Sequence, residues 1–525
     1  MLSLLKKLAS GKKDRIYEGT TEHLKQFRLS PNIGDNTTRL LDIMNNSFDI
    51  KTRAFKIGRT NTRAAVIYIS ELVDEITVNN NIIKSLILES TFVMDKNGKV
   101  DLDLIKDSML SLADVEETET FDEIVLGIMS GDTFLCIQGF TKGLLISARK
   151  YKGRTVGQPN LEPSVKGPQE AFVEMLSVNI GLIRRRIRDP NLTFEIHKLG
   201  RRAKADIVLM YIKGIAHKDL IDDIRNKLLA IDIDKVTTAV EVSKLMLDRP
   251  HSIFPLVQVT ERPDKVVAAM NEGRVAMIIE GAPDAITLPV TLPILMQSSD
   301  DYFENWMAAT VIRMTRYVCF LISVLFPAIY ISTTSYHPGM LPTRLVLSIT
   351  ASRTGVPFPA VLEALLMEFT LEILQEAGIR LPRVVGQTVS IVGGLVIGQA
   401  AVQAGVVSPI MVIVISITAL SSFAIPDYSL SMASRIIRIP FILLAVTFGS
   451  FGIAMGMLFL LAYLSSLRCF GLSYLTPLTP FRPRDSRDSL IRAPLWTMHK
   501  RPEFLHPEDT IKHVPPAGRN EPNDN

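Results

Sequence analysis

Up to about residue 285 short apolar runs alternate with charged positions; beyond it the apolar runs lengthen, and the links between them are short and often carry arginine. The first pattern predicts strands and amphipathic helices of an α/β half, because apolar periods of 2 and 3.6 mark half-buried strands and helices. The second predicts membrane helices. Segments 311–332, 385–405, 407–425 and 439–467 approach or exceed the ~20 residues a helix needs to cross a bilayer core. From Thr476 onward Pro477, Pro480, Pro483, Pro494, Pro502, Pro507, Pro515 and Pro516 recur among arginines, which reads as a weakly structured tail.

The α/β half holds a repeat. AAVIYISELVDEITVNNNIIKSL (64–86) and ADIVLMYIKGIAHKDLIDDIRNKL (205–228) share an apolar strand ending in Tyr-Ile, a polar turn and a helix with apolar residues at 3–4 spacing. FDEIVLGIMSGDTFLCIQG (121–139) likewise matches PDKVVAAMNEGRVAMIIEG (263–281). Tyr68 falls opposite Tyr211, Gly131 opposite Gly273 and Gly139 opposite Gly281, at a steady offset of 142 or 143 residues. A recurring helix and strand, each closed by glycine, predicts two copies of one αβ subdomain. The organisation expected is an N-terminal segment (1–60), a first αβ subdomain (61–150), a linker with an amphipathic basic helix (151–202), a second αβ subdomain (203–290), a helical membrane domain (291–470) and the tail (471–525).

Composition narrows the function classes. At 525 residues the chain exceeds the ~250–300 at which single cores stop growing, so two or three units are expected. A net charge of +4 with no long Lys/Arg run does not imply nucleic acid. The mean hydropathy of +0.23 points to a membrane. MLSLLKKLASGKKDRIY has lysines within and after its apolar residues and lacks a ~7–15-residue apolar core with a cleavage site, so no signal peptide is read and the first half is expected in the cytoplasm.

Signatures of catalysis do not stand out. There is no phosphate loop, H-E-x-x-H or G-x-S-x-G in the sequence. Cys136, Cys319 and Cys469 lie far apart, outside any CxxC or Cys/His spacing, and read as buried small hydrophobes. His337, at a span end, reads as interfacial. No cofactor or metal site is expected, and an enzyme of lipid or cell-wall metabolism would need a catalytic group hidden from motif reading. The amphipathic helix between the copies ends in Arg184, Arg185, Arg186 and Arg188. Two readings stay open: contact with anionic lipid or an acidic partner, and a solvated end whose cations favour the helix C-terminal dipole.

Two features belong to the membrane part. In VGQTVSIVGGLVIGQAAVQAG (385–405), Gly394 and Gly398 stand at GxxxG spacing, continued by Ala401 and Gly405; with Gly452 and Gly456 they read as positions where helices approach closely. VLEALLMEFTLEILQEAGIRLP (361–382) places Glu368, Glu372 and Glu376 on one stripe, with Glu363 off it. Three readings compete: an interfacial helix with carboxylates toward water, pairing with Arg380, Arg383 or Arg353, and a bundle helix lining a polar pathway that serves conduction or gating.

The residues resemble the A subunit of the GerA-type spore germination receptors of endospore-forming bacteria. The likeness lies in VKGPQEAFVEMLSVNIGLIRRRI, TERPDKVVAAMNEGRVAMIIEGAP, QSSDDYFENW and the block GMLPTRLVLSITASRTGVPFPAVLEALLMEFTLEILQEAGIRLPRVVGQTVSIVGGLVIGQAAVQAGVVSP. A paralogous stage-V sporulation protein shares the architecture, but this chain has a longer Pro/Arg tail and departs in its N-terminal segment. The resemblance implies a receptor subunit in the spore inner membrane, working with a transporter-like B subunit and a lipoprotein C subunit. It also implies a homo-oligomer that passes on a germinant signal, as an ion-conducting channel or otherwise. A secondary transporter is the rival class. If 361–374 does not cross, four spans leave both termini inside; if it crosses, the tail lies outside, and the charge rule does not choose. Four spans with an interfacial or re-entrant helix is the expectation.

Overall fold

The computed structural model describes residues 21–58, 62–88, 102–108, 114–150, 157–159, 162–164, 166–380 and 396–512. Two units emerge: Met1–Asp248, Val259–Pro289 and Leu495–Asn525 form one, Arg249–Gln258 and Val290–Pro494 the other.

The first unit is built on two five-stranded sheets. Strands β1 (Ile50–Lys56), β2 (Arg63–Ile69), β3 (Val115–Thr118), β4 (Asp132–Ile137) and β5 (Gly143–Ser147) lie in the order β1-β2-β4-β5-β3, all neighbours antiparallel. Strands β6 (Leu192–Leu199), β7 (Ala205–Ile212), β8 (Gln258–Thr260), β9 (Val275–Ile279) and β10 (Ala285–Leu288) lie in the order β6-β7-β9-β10-β8. The second order is the first with each strand replaced by the one five later. The inner strands read as continuous apolar runs because both faces of the sheet are packed: Ala65, Ile67 and Phe134 enter one core, Ala64, Val66 and Leu135 another.

The likeness extends to hydrogen bonds that backbone geometry demands. Helices α1 (Ile33–Ile43) and α2 (Phe121–Ser130) accompany the first sheet, α3 (Leu176–Arg186), α4 (Lys218–Leu229) and α5 (Pro263–Asn271) the second. Before α1 the buried Asn36 side chain exchanges two bonds with the Ser30 backbone, at 2.9 and 2.7 Å; before α3 Asn179 does the same with Val173, at 2.8 and 2.6 Å. Gln138 accepts from Ile33 N–H at 3.2 Å, and Glu280 from Leu176 N–H at 2.9 Å. Gly131 (φ 95°) and Gly273 (φ 101°) occupy left-handed turns after α2 and α5, where a Cβ would meet the Leu72 carbonyl at 3.2 Å and the Ile215 carbonyl at 3.3 Å. The matching elements therefore begin at α1 and α3, upstream of residues 61 and 203 where the sequence pattern placed them.

Arg184 corrects the basic-cluster reading. It is fully buried, pairing through Nε with Asp49 Oδ2 at 2.8 Å and through Nη2 with Asp49 Oδ1 at 3.1 Å, its guanidinium over the Phe194 ring. It joins α3 to the strand entry of the first sheet and does not face lipid. Arg185 and Arg188 are exposed, while Arg186 holds Glu170 at 2.5 Å and the Leu182 carbonyl at 3.0 Å, as a cation closing a helix C-terminus does. The described part of the Pro/Arg tail, up to residue 512, is more ordered than its composition suggests: short 3-10 turns at Asp485–Asp488, Leu495–Thr497 and Glu503–Leu505 are fixed by backbone and arginine hydrogen bonds. Proline excludes a regular ladder, but not a chain held by its carbonyls.

The second unit is helical: α6 (Trp306–Ser335), α7 (Thr343–Arg353), α8 (Ala360–Arg380), α9 (Gly398–Gln403), α10 (Pro409–Phe423) and α11 (Tyr428–Ser466). Two of these, α6 and α11, are long and apolar enough to cross a membrane. Gly394 and most of the 385–405 stretch lie outside the described residues; Gly398 begins α9 and Gly405 (φ 67°) closes it. Helix α11 is not one rod. Gly449 (φ 60°, ψ −140°) breaks it, a conformation reserved for glycine. A Cβ on Gly456 would come within 2.9 Å of Phe441 Cε1, and one on Gly452 would strike the Leu444 carbonyl. Phe441 and Gly456 would stand ~22 Å apart in a straight helix, so arms 428–448 and 450–466 fold back on each other. The single span expected at 439–467 is a hairpin.

Two outcomes check these interactions. Asp49→Ala leaves Arg184 buried and unpaired, which should cost ~3–5 kcal/mol, with Asp49→Leu plus Arg184→Met recovering much of it in denaturant unfolding of the purified chain. Gly452→Val should abolish accumulation in membranes, whereas Gly398→Ala, whose Cβ would meet only Val412 among the described residues, at 3.7 Å, should leave it unchanged on immunoblots.

Candidate functional site

The acidic helix α8 packs one face against the helical unit and leaves Leu362, Leu366, Phe369 and Ile373 exposed. Ala360 and Ala364 are buried in one cluster with Tyr330 and Ile331 of α6, Met411, Val414 and Ile415 of α10, and Ile442 of α11. Its direction follows from its partners. Ala360 lies near Tyr330 and Glu368 reaches Arg438, which bonds Ser323, so α8 runs antiparallel to α6.

Three of the α8 carboxylates then meet a specific cation. Glu363, fully buried, accepts from Ser408 N–H at 2.8 Å and lies 3.3 Å from Arg353 Nη2. Ser408 caps α10, so the carboxylate also rests on a helix N-terminus, where negative charge is favoured. Glu368 accepts from Arg438 Nη1 at 2.5 Å. Glu372 lies 3.6 Å from Arg435 Nη1. Spacings of four on α8 and three on α11 bring the two pairs together as successive rungs between antiparallel helices.

Arg438 has a second anchor. Its Nε donates to the Ser323 carbonyl at 2.6 Å. That carbonyl lacks a helical partner because the residue four positions on is Pro327, which has no N–H. Around the rungs several buried polar atoms have no hydrogen-bond partner among the described residues: Glu368 Oε1, Arg438 Nη2, Arg435 Nε and both amide atoms of Gln375. At the other end of α6, Arg313 joins Asp301 at 3.0 Å and Asp488 at 2.8 Å, and Arg316 joins Asp301 at 2.7 Å.

The sequence located the carboxylates and mistook their partners. Arg353 holds Glu363, which the stripe excluded; Arg383 lies outside the described residues. Glu376, one turn past Glu372, is exposed. Arg435 and Arg438 were overlooked, although arginines at 3-spacing within an apolar run signal a buried acidic partner. Among the described residues no group of three His, Cys, Asp or Glu is arranged to hold a metal. In the first unit, burial opposes ionisation of Glu195, but hydrogen bonds from His197, Arg225 and Tyr211 hold its carboxyl well below the usual range. Through Glu195, Tyr211 and Arg225 that cluster braces β6 and β7 against α4.

Comparison with known proteins fixes the class. A family model described as Bacillus/Clostridium GerA spore germination protein matches residues 38–504, and the chain belongs to that family. It is 39% identical over 485 residues to Spore germination protein KA of Bacillus subtilis (strain 168), covering 92% of this chain and 88% of that protein. An uncharacterized membrane protein of the same organism, YfkQ, is 36% identical over 474 residues, covering 90% and 91%. Among solved structures, the N-terminal domain of the A subunit of the Bacillus megaterium spore germinant receptor GerK3 is 31% identical, covering 50% of this chain and 96% of that one, with a TM-score of 0.39.

The rungs predict a coupling. Glu368→Gln should lower protein abundance by leaving Arg438 uncompensated, at ~3–5 kcal/mol. Adding Arg438→Met should restore part of it, and strictly additive losses on immunoblots would deny the pair.

Proposed function

We propose that this chain is the A-type subunit of a spore germinant receptor in the inner membrane of the dormant spore. It works in a homo-oligomer with a transporter-like B subunit and a lipoprotein C subunit, and converts germinant binding into release of cations along the α8–α11 rungs. Family membership supports a role in germination. The observation carrying the conductive reading is the set of buried polar atoms without a partner among the described residues beside Glu368, Arg438 and Gln375. Such atoms are costly in an apolar bundle unless water or an ion reaches them. Ionised carboxylates along that route concentrate cations. The two sheets are copies of one αβ unit, supported by their shared strand order and the paired hydrogen bonds of Asn36 and Asn179. They stand on the cytoplasmic side, and Arg185 and Arg188 remain open to lipid or an acidic partner surface.

The bundle crosses the membrane through α6, α8, the 385–405 stretch, α10 and both arms of α11. A cysteine placed at the exposed Phe448 should then label from the side opposite one placed at Ser473; labelling from one side would overturn the hairpin crossing. Gln375→Leu and Glu372→Gln test the route itself, since neither leaves a fully buried ion unpaired. Protein level should hold while cation release after germinant addition slows ~10-fold, the kinetic equivalent of ~1.4 kcal/mol. Unchanged release in both would remove the rungs from the pathway.

A further inference from the structure

In the first sheet the chain continues past β5 and lies back across the loop that follows β2. Lys150 N–H donates to the Leu72 carbonyl at 2.8 Å, Asp74 N–H donates to the Ala148 carbonyl at 2.8 Å, and Val73 and Arg149 form an antiparallel bridge. The corresponding loop of the second sheet is 214–217. The chain past β10 does not return to it, because Val290 onward belongs to the helical unit. The loop is nonetheless covered. Glu508 N–H donates to the Ile215 carbonyl at 3.1 Å and Asp509 N–H to the Gly214 carbonyl at 2.9 Å.

The register of this cover repeats that of the first sheet. Ile215 matches Leu72 at the repeat offset, so Glu508 takes the place of Lys150. One residue earlier, a Cβ on Gly131 would meet Arg149 Cγ at 3.4 Å, and one on Gly273 would meet Pro507 Cβ at 3.6 Å. One earlier again, Ala148 bonds Asp74, and the ring of His506 lies 6.4 Å from that of His217, the counterpart of Asp74. Three consecutive positions therefore agree.

The tail is shaped for this seat. Lys500 and Ile511 form an antiparallel bridge, Lys512 N–H donates to the His499 carbonyl at 2.8 Å, and Phe504 and Leu505 are buried. The largely buried Arg501 closes the clip: Nε donates to the Asn271 carbonyl at 2.8 Å and Nη1 to Asp509 Oδ2 at 2.6 Å and to the Ile511 carbonyl. Asn271 ends α5, so the guanidinium also meets the negative end of a helix.

We infer that the second sheet carries a peptide-docking groove, formed by 214–217 and the turn after α5, whose occupant is residues 499–511 of the same chain. In chain order, 290–494 thus lies between β10 and the segment that covers this loop. The assignment is independent of whether cations pass through the bundle.

Hydrogen exchange on the full-length chain in detergent tests it. In the wild type, amides of 499–511 should be protected; in Arg501→Ala they should exchange ~10–100-fold faster, matching loss of charge-assisted bonds of ~1.5–3 kcal/mol, while 72–74 and 148–150 stay unchanged. A tail exchanging at the free-chain rate in the wild type, or one indifferent to Arg501→Ala, would overturn the assignment. Ala216→Cys with Pro507→Cys provides a second measurement, because these positions correspond to the Val73–Arg149 bridge and facing residues of such a bridge stand at ~4.5–5.5 Å, within disulfide reach. Oxidation should link them within one chain. A disulfide-linked dimer would place a neighbour's tail in the groove, and no link would empty it; either result rejects the proposal.

Discussion

The helical unit depends on a carbonyl that cannot be satisfied by its own helix. Pro327 deprives Ser323 of its donor, and the Arg438 guanidinium supplies one from α11 at 2.6 Å. The same guanidinium reaches Glu368 on α8 at 2.5 Å. One side chain therefore fixes three helices in register. In an apolar setting shape alone would leave sliding motions cheap, since packing lacks a hydrophobic drive between helices in lipid. A buried ion pair adds little net stability against an apolar isostere, yet any displacement of α8 or α11 would leave an uncompensated charge. The arrangement therefore resists small shifts of α8 against α11.

The first unit uses the same device at a different junction. Arg184 and Asp49 are both wholly buried and join α3 to the entry of β1. Elsewhere the two sheets share little side-chain chemistry and much backbone chemistry. Asn36 and Asn179 act as surrogate backbone for the turn before a helix, and Gly131 and Gly273 occupy turns closed to other residues. Positions that satisfy main-chain groups are retained in both sheets, while the stripes around them vary, because apolar volume can be met in many ways and a left-handed turn cannot.

The sequence revealed what depends on local periodicity and missed what depends on distant partners. The glycine-closed helix and strand were visible at a steady offset; β1 was not, because as an exposed edge strand it carries no apolar alternation. The carboxylate stripe of α8 was visible as a helix face, but its arginines lie on α11 some seventy positions away, beyond any window. Hydropathy averaging joined both arms of α11, since a glycine at φ 60° scores as an apolar helix residue. Composition likewise made the tail look unstructured: its prolines forbid helix and ladder, yet the seat for 499–511 is made by carbonyls and one guanidinium, which composition does not show.

Chain parity connects these features. The chain leaves the two-sheet unit for residues 249–258 and again after Pro289, re-entering it at Val259 and at Leu495. A membrane unit inserted between two points of one water-facing unit must cross the bilayer an even number of times. Four apolar stretches with an interfacial α8 would meet that condition; α8 packs one face on α6, α10 and α11 and runs antiparallel to α6, which favours the crossing proposed above. Making α8 a crossing turns the count odd, and the reversal at Gly449 makes it even again. In the crossing pattern proposed above, an odd count would put residues 499–511 across the bilayer from Ile215 and Asn271, so the hydrogen bonds that seat the tail and the left-handed glycine in α11 are two observations that bear on one proposal.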